Sequence, residues 1–159
     1  MDKKALFKFD FLGLRDTLNP FQVRAKQVGL PPGTLLHVGE QKIEQPILSM
    51  IEYSPEHYDM QSNLSVEQVR ACLDSTPVSW INLTGLHDTA LLGDLCNVFQ
   101  IHPLAQEDIL NTQHRPKLEA FDNCLLVIIK MLTFNETNRS VSTEQVSLVI
   151  GPRFVLSFQ

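Results

Sequence analysis

Residues 125–134 read LLVIIKMLTF, an apolar run broken only by Lys130 and Thr133. The run does not alternate as a half-solvated strand does, so it predicts a central strand covered on both faces. It is too short to cross a bilayer, which takes ~20 apolar residues. On its C-terminal side, Asn135–Ser140 is a polar connection, and Gln145–Ile150 and Phe154–Phe158 are further strands joined by a tight Gly151-Pro152 turn.

On its N-terminal side, Lys117–Phe121 is compatible with a short strand and Thr112–Pro116 with a loop. His102-Pro103 starts a short helix with proline at its first position, ending near Leu110-Asn111. His87-Asp88 opens another helix, with Asp88 as N-cap and an apolar stripe of Leu91, Leu92, Leu95, Val98 and Phe99. Pro77–Leu83, PVSWINL, predicts a buried strand with Trp80 as a core aromatic. Ser65 caps a helix running to about Asp74, and Thr34–Val38 and Ile47–Tyr53 read as strands. The succession β-β-α-β-α-α-β-β-β-β implies an α/β domain: a mixed sheet with helices on both faces.

Composition agrees with one globular domain. The 159 residues are 43% hydrophobic with a net charge of -5, enough to bury roughly 70% of the unfolded surface and too apolar for disorder. Residues 1–30 carry a balance of +3 and residues 31–159 one of -8. The acidic body argues against nucleic acid and is compatible with cations. Leu30-Pro31-Pro32-Gly33 is a hard boundary before the domain, and Phe7, Phe9 and Phe11 belong to a weakly patterned leader without a signal-peptide core. Cys72, Cys96 and Cys124 form no CxxC or Cys/His cluster and read as small buried hydrophobes. The strand ending at Phe158-Gln159 without a cap or tail reads as truncation.

Phosphate loops, GxSxG and HExxH are absent, and the five histidines are scattered. The informative stretch is His102–Lys117, HPLAQEDILNTQHRPK. Glu107 and Asp108 lie in the last half of a short helix, where the dipole is already negative. Two arrangements relieve that conflict: a bound cation, or a fold-back of His114, Arg115 and Lys117 onto the acids. Adjacent helical side chains diverge by about 100°, and Mg2+ prefers one or two carboxylates plus waters. A strong site therefore draws a ligand from elsewhere. On these residues, neutralising Asp108 is expected to leave stability unchanged or slightly raised.

Gly29–Leu35 (GLPPGTL), Trp80–His87 (WINLTGLH), HPLAQEDILNTQHRPK, Val127–Met131 (VIIKM) and Glu144–Leu148 (EQVSL), in that order, closely resemble the N-terminal cytoplasmic domain of CorA-type magnesium and cobalt transport proteins. The resemblance runs from residue 29 to 159, leaving residues 1–28 as a leader outside it. It implies an α/β/α sandwich on the cytoplasmic face of the bacterial inner membrane. It also implies a homopentameric channel, whose long helix, two membrane spans and Gly-Met-Asn signature this sequence does not contain. In such proteins Mg2+ (Co2+ or another divalent cation is possible) binds between subunits and favours the closed state. By the resemblance Asp108 is a direct or water-mediated metal ligand, with Glu107 at a second, weaker site and the partner acids on the neighbouring subunit.

The implied role is regulatory and metal-sensing, with no enzymatic activity and membrane contact only through the missing C-terminal part. The isolated chain is then expected to be monomeric or weakly associated, and to bind Mg2+ in the millimolar range (on the order of 4 kcal/mol). The alternative is a small cytosolic metal-dependent hydrolase using Glu107 or Asp108 with a histidine base. No nucleophile or ligand cluster in the sequence supports it.

Overall fold

Alternation along the strands decides which side of the sheet carries the core. The computed structural model describes residues 30–41, 43–72 and 78–159. The leader at 1–28, the end of the first helix near Asp74 and the first residue of PVSWINL lie outside them. The strands are β1 (Ile47–Tyr53), β2 (Tyr58–Ser62), β3 (Val78–Thr84), β4 (Lys117–Ala120), β5 (Leu125–Asn135), β6 (Ser140–Ile150) and β7 (Phe154–Phe158). The helices are α1 (Val66–Cys72), α2 (Thr89–Val98) and α3 (Pro103–Leu110).

The strands form one sheet in the order β2-β1-β3-β7-β6-β5-β4. Every neighbouring pair is antiparallel except β3 and β7, which run parallel from Ser79↔Phe154 to Leu83↔Phe158. A parallel pair needs a long crossover, and here the chain between them contains α2, α3 and β4 to β6.

Leu48 and Met50, Ile81 and Leu83, Leu156 and Phe158, Val149, and Leu126 and Ile128 all point to one face. There they join Val69 of α1, Leu92, Leu95 and Cys96 of α2, and Ala105, Ile109 and Leu110 of α3 in a single cluster. Each fully buried aliphatic side chain in it contributes about 1.5–3 kcal/mol. Burial pushes the Cys96 thiol up to about 12, with Cys124 adding to the shift; both cysteines are free and buried, as expected of small hydrophobes.

Local chemistry starts each helix. Ser65 Oγ accepts from Gln68 N, while Gln68 Oε1 accepts from Ser65 N, a reciprocal capping box. Asp88 Oδ1 caps α2 by accepting from Leu91 N at 2.9 Å. His102 Nδ1 accepts from Leu104 N, with Pro103 following it at the first helical position.

The α/β class and the mixed sheet are as the sequence implies, and the structure corrects several details. Thr34–Val38 is not a strand: only Val38 makes a bridge, parallel, to Asn111. The second strand is Tyr58–Ser62, fully exposed at the sheet edge and so without an apolar signature. Trp80 is not a core aromatic. It stands half-exposed on the face opposite the helices, and its Nε1 donates to Ser157 Oγ at 2.9 Å.

β5 has a strand on each side only over its first part, and among the described residues the helix-borne core covers one of its faces rather than both. Residues 125–128 lie between β4 and β6, whereas Ile129–Asn135 pair with β6 alone. The outer part is a two-stranded arm on which Met131, Leu132 and Phe134 are exposed. Among the described residues the three helices share the one core cluster, and Trp80, Leu118, Ile129 and Met131 are exposed on the opposite face.

Hydrogen exchange should therefore split β5. The amides of residues 125–128 exchange among the slowest in the chain, and those of residues 131–135 exchange well ahead of them through local opening of the arm. Equal protection along the strand would show that the arm is held as firmly as the sheet centre.

Candidate functional site

The helix α3 delivers its two acids to different places. Glu107 Oε2 accepts from the backbone N–H of Gly33 at 2.7 Å, tying the Pro31–Thr34 turn to the helix. Asp108 faces the other way, toward β4. Its Oδ2 accepts from Lys117 Nζ at 2.5 Å and its Oδ1 lies 2.9 Å from His114 Nε2. Lys117 Nζ also donates to Glu119 Oε2 at 2.6 Å. Fold-back onto Asp108 is thus realised by His114 and Lys117, while Arg115 stays exposed.

Strand register explains why Lys117 reaches the helix. It lies opposite Ile128, a core-facing residue of β5, so both side chains leave the sheet on the helix side. Burial works against the lysine charge, but the bonds to Asp108 and Glu119 outweigh it and hold its pKa above the ordinary lysine value. The expectation for neutralising Asp108 changes accordingly. Asp108→Asn removes a partly buried charged bond rather than relieving a bare repulsion, so it costs about 1 kcal/mol.

The loop between α3 and β4 is stapled from three sides. Asn111 N donates to Glu107 O and His114 N to Asn111 O. Val38 N donates to Leu110 O, and Thr112 returns both its N–H and its hydroxyl to Val38 O. Lys130 Nζ donates to Thr112 O at 2.7 Å and to Gln145 Oε1 at 3.0 Å.

Lys130 also marks a feature the sequence reading missed. It lines a cleft of about 440 Å³ together with His37, His87, Gln145 and Gln159. Burial holds the Lys130 ammonium below the ordinary lysine pKa, and burial with the neighbouring His87 does the same for His37. The available signal was the lone lysine in LLVIIKMLTF, since a cation in an apolar run has to find acceptors. Among the described residues no group of three or more His, Cys, Asp or Glu side chains converges to hold a metal.

Glu107 and Asp108 therefore fit Mg2+ as parts of sites and not as one chelate. Their oxygens are the hard donors Mg2+ takes, and Asp108 already has an ammonium on one oxygen as a stand-in cation. Two carboxylates aimed apart hold such an ion only with ligands from beyond these residues.

A seven-stranded mixed sheet with an acidic helix end on its helix-bearing face defines an α/β domain, and solved structures share that fold. The full-length CmaX protein matches 75% of this chain over 36% of its own length, with a TM-score of 0.55 and 17% identity. The complete structure of the CorA magnesium transporter from Methanocaldococcus jannaschii matches 69% over 31% of its length, with a TM-score of 0.50 and 18% identity. The family profile of the CorA-like Mg2+ transporter protein matches residues 76–159, and the chain belongs to that family, one of transporters and not of enzymes. The cobalt/magnesium transport protein CorA of Thermotoga maritima is 40% identical over 131 residues, which is 82% of this chain and 37% of that protein. The chain thus spans little more than a third of that relative. Among the described residues no helix is long and apolar enough to cross a membrane.

The tie at Gly33 gives a direct test of how the helix end is held. Gly33 has φ +81°, and an added Cβ would sit 3.1 Å from Pro103 Cβ. Gly33→Ala is expected to destabilise the chain by about 1–2 kcal/mol, measured by denaturant unfolding. An unchanged midpoint would show that the Pro31–Thr34 turn contributes nothing to the fold.

Proposed function

We propose that residues 29–159 form the cytoplasmic, metal-sensing domain of a CorA-type divalent cation channel, with residues 1–28 as a separate leader. The full protein is a homopentamer embedded in the bacterial inner membrane, with this domain on its cytoplasmic face, and its cargo is Mg2+ or Co2+. Mg2+ binds between subunits and favours the closed state. Asp108 is a direct or water-mediated ligand, Glu107 contributes to a second, weaker site, and acids of the neighbouring subunit complete both.

The observation that carries this reading is the placement of Asp108. It lies inside the segment that matches the family, at the negative end of α3, with a cation already drawn onto its carboxylate. When bound, Mg2+ supplies two positive charges that cancel the repulsion between acids of adjacent subunits. Differential binding of this kind shifts the ring toward the state in which those acids are close. This chain's residues hold the half-site ready: the Thr112 staples fix the loop after α3, and β4 fixes Lys117. Alone, such a half-site binds Mg2+ in the millimolar range, on the order of 4 kcal/mol.

The test is transport by the full-length protein against internal Mg2+. Asp108→Asn is expected to raise the half-inhibiting concentration by at least about fivefold, the lower end of ordinary coupling between sites. Superimposable inhibition curves for the variant and its parent would remove Asp108 from the sensor.

A further inference from the structure

We infer that Lys117 is a tethered counter-cation that competes with the divalent ion for Asp108 and so sets the concentration at which the sensor fills. The inference rests on the reading of Asp108 as a metal ligand and adds the regulation of that site.

Lys117 Nζ bridges two carboxylates, at 2.5 Å from Asp108 Oδ2 and 2.6 Å from Glu119 Oε2. Mg2+ requires oxygen ligands at 2.0–2.1 Å in octahedral array. An ammonium hydrogen-bonded to the same carboxylate oxygen would then stand within a few ångströms of the metal, cation against cation. Asp108 Oδ1 offers no easy alternative, because His114 Nε2 lies 2.9 Å from it. Filling the site therefore means moving the lysine.

The fold permits that move at small cost. β4 is the edge strand of the sheet, paired with β5 alone, and the Lys117 side chain is about a quarter exposed. Glu119, on the same strand and face, is nearly half exposed and still accepts from the ammonium after Asp108 is released. The exchange leaves no charge buried without a partner. Two acids on one lysine thus make a resting place and a standby place for the same cation.

Competition by a tethered group has two consequences. The ammonium acts at an effective concentration fixed by chain geometry, so dilution cannot remove it. A monovalent ion brings no more charge than the lysine it must displace, whereas a divalent ion brings twice as much. Lys117 therefore raises the filling threshold and biases the half-site toward divalent ions.

The experiment uses the full-length protein and two readouts: the Mg2+ concentration that half-protects it from limited proteolysis, and the one that half-inhibits transport. Lys117→Gln is expected to lower both by at least about fivefold. Glu119→Gln is expected to raise both, because the lysine then rests on Asp108 alone; this variant keeps the test usable if Lys117→Gln fails to fold. The double variant Asp108→Asn, Lys117→Gln should titrate as Asp108→Asn does. If Asp108→Asn shifts the midpoints while neither Lys117→Gln nor Glu119→Gln moves them, the tethered competitor is overturned and the sensor reading stands. Identical titrations for Asp108→Asn and the parent overturn both.

Discussion

The parallel pairing of β3 with β7 is the constraint from which the rest follows. Ser79 N donates to Arg153 O at one end, and at the other Gly85 N donates to Gln159 O and Gln159 N to Leu83 O. To bring two distant segments side by side in the same direction, the chain must leave the sheet and return. The excursion lays α2 and α3 on the helix-bearing face, and the returning hairpin of β5 and β6 then fills the space beside β7. With β7 seated, Leu156 lies opposite both Ile81 and Val149, which joins the two antiparallel halves through one apolar row. The end of α3 lies beside the edge strand because of this routing and not because of any local preference of EDIL.

That geometry resolves an electrostatic conflict. Acids at a helix C-terminal end are unfavourable by roughly 0.3–1 kcal/mol each when nothing answers them. Glu107 is answered by the backbone N–H of Gly33 and Asp108 by Lys117 and His114. The two answers differ in kind. A backbone amide within a proline-rich turn is fixed, whereas a lysine on an edge strand can leave. Glu107 therefore ties the Pro31–Thr34 turn to the helix, and on the proposed reading Asp108 is the carboxylate that exchanges its partner.

The fold was legible where sequence signals are local and strong. Asp88, Ser65 and the His102-Pro103 pair mark helix starts through chemistry that acts over three residues. The periodic stripe of α2 and the strands β1, β3 and β7 carry their own patterns. Misreadings fell where tertiary placement decides. LLVIIKMLTF is apolar apart from Lys130 and Thr133, yet only its first part has a strand on each side. Tyr58–Ser62 has no apolar pattern because it is an edge strand, and Thr34–Val38 has one because it packs beside α3 rather than in the sheet. Trp80 alternates away from the core in a register fixed by Ser79 and Ile81. Around Asp108, EDIL and the trailing basic residues made the fold-back of charged side chains legible. Which basic residue meets which acid depended on β4 pairing with β5, which no local pattern of HPLAQEDILNTQHRPK encodes.

A sensor divided between subunits has a physical advantage over a complete site in one chain. A site with all its ligands in one subunit fills at the same concentration whether the ring is closed or open, and equal affinity for two states shifts nothing. Dividing the ligands makes affinity depend on the distance between subunits, which is the variable to be controlled. The division carries a cost, because each half must persist uncompensated whenever the metal is absent. If Asp108 is such a half, as proposed, it is compensated internally by Lys117. On the proposed reading the lysine then serves two ends at once: it removes the repulsion that bare acids would impose on the fold, and it fixes how much Mg2+ is needed before the carboxylate is released. Stability of the resting domain and the threshold of the sensor are linked through one ammonium, so a change that strengthens the first raises the second.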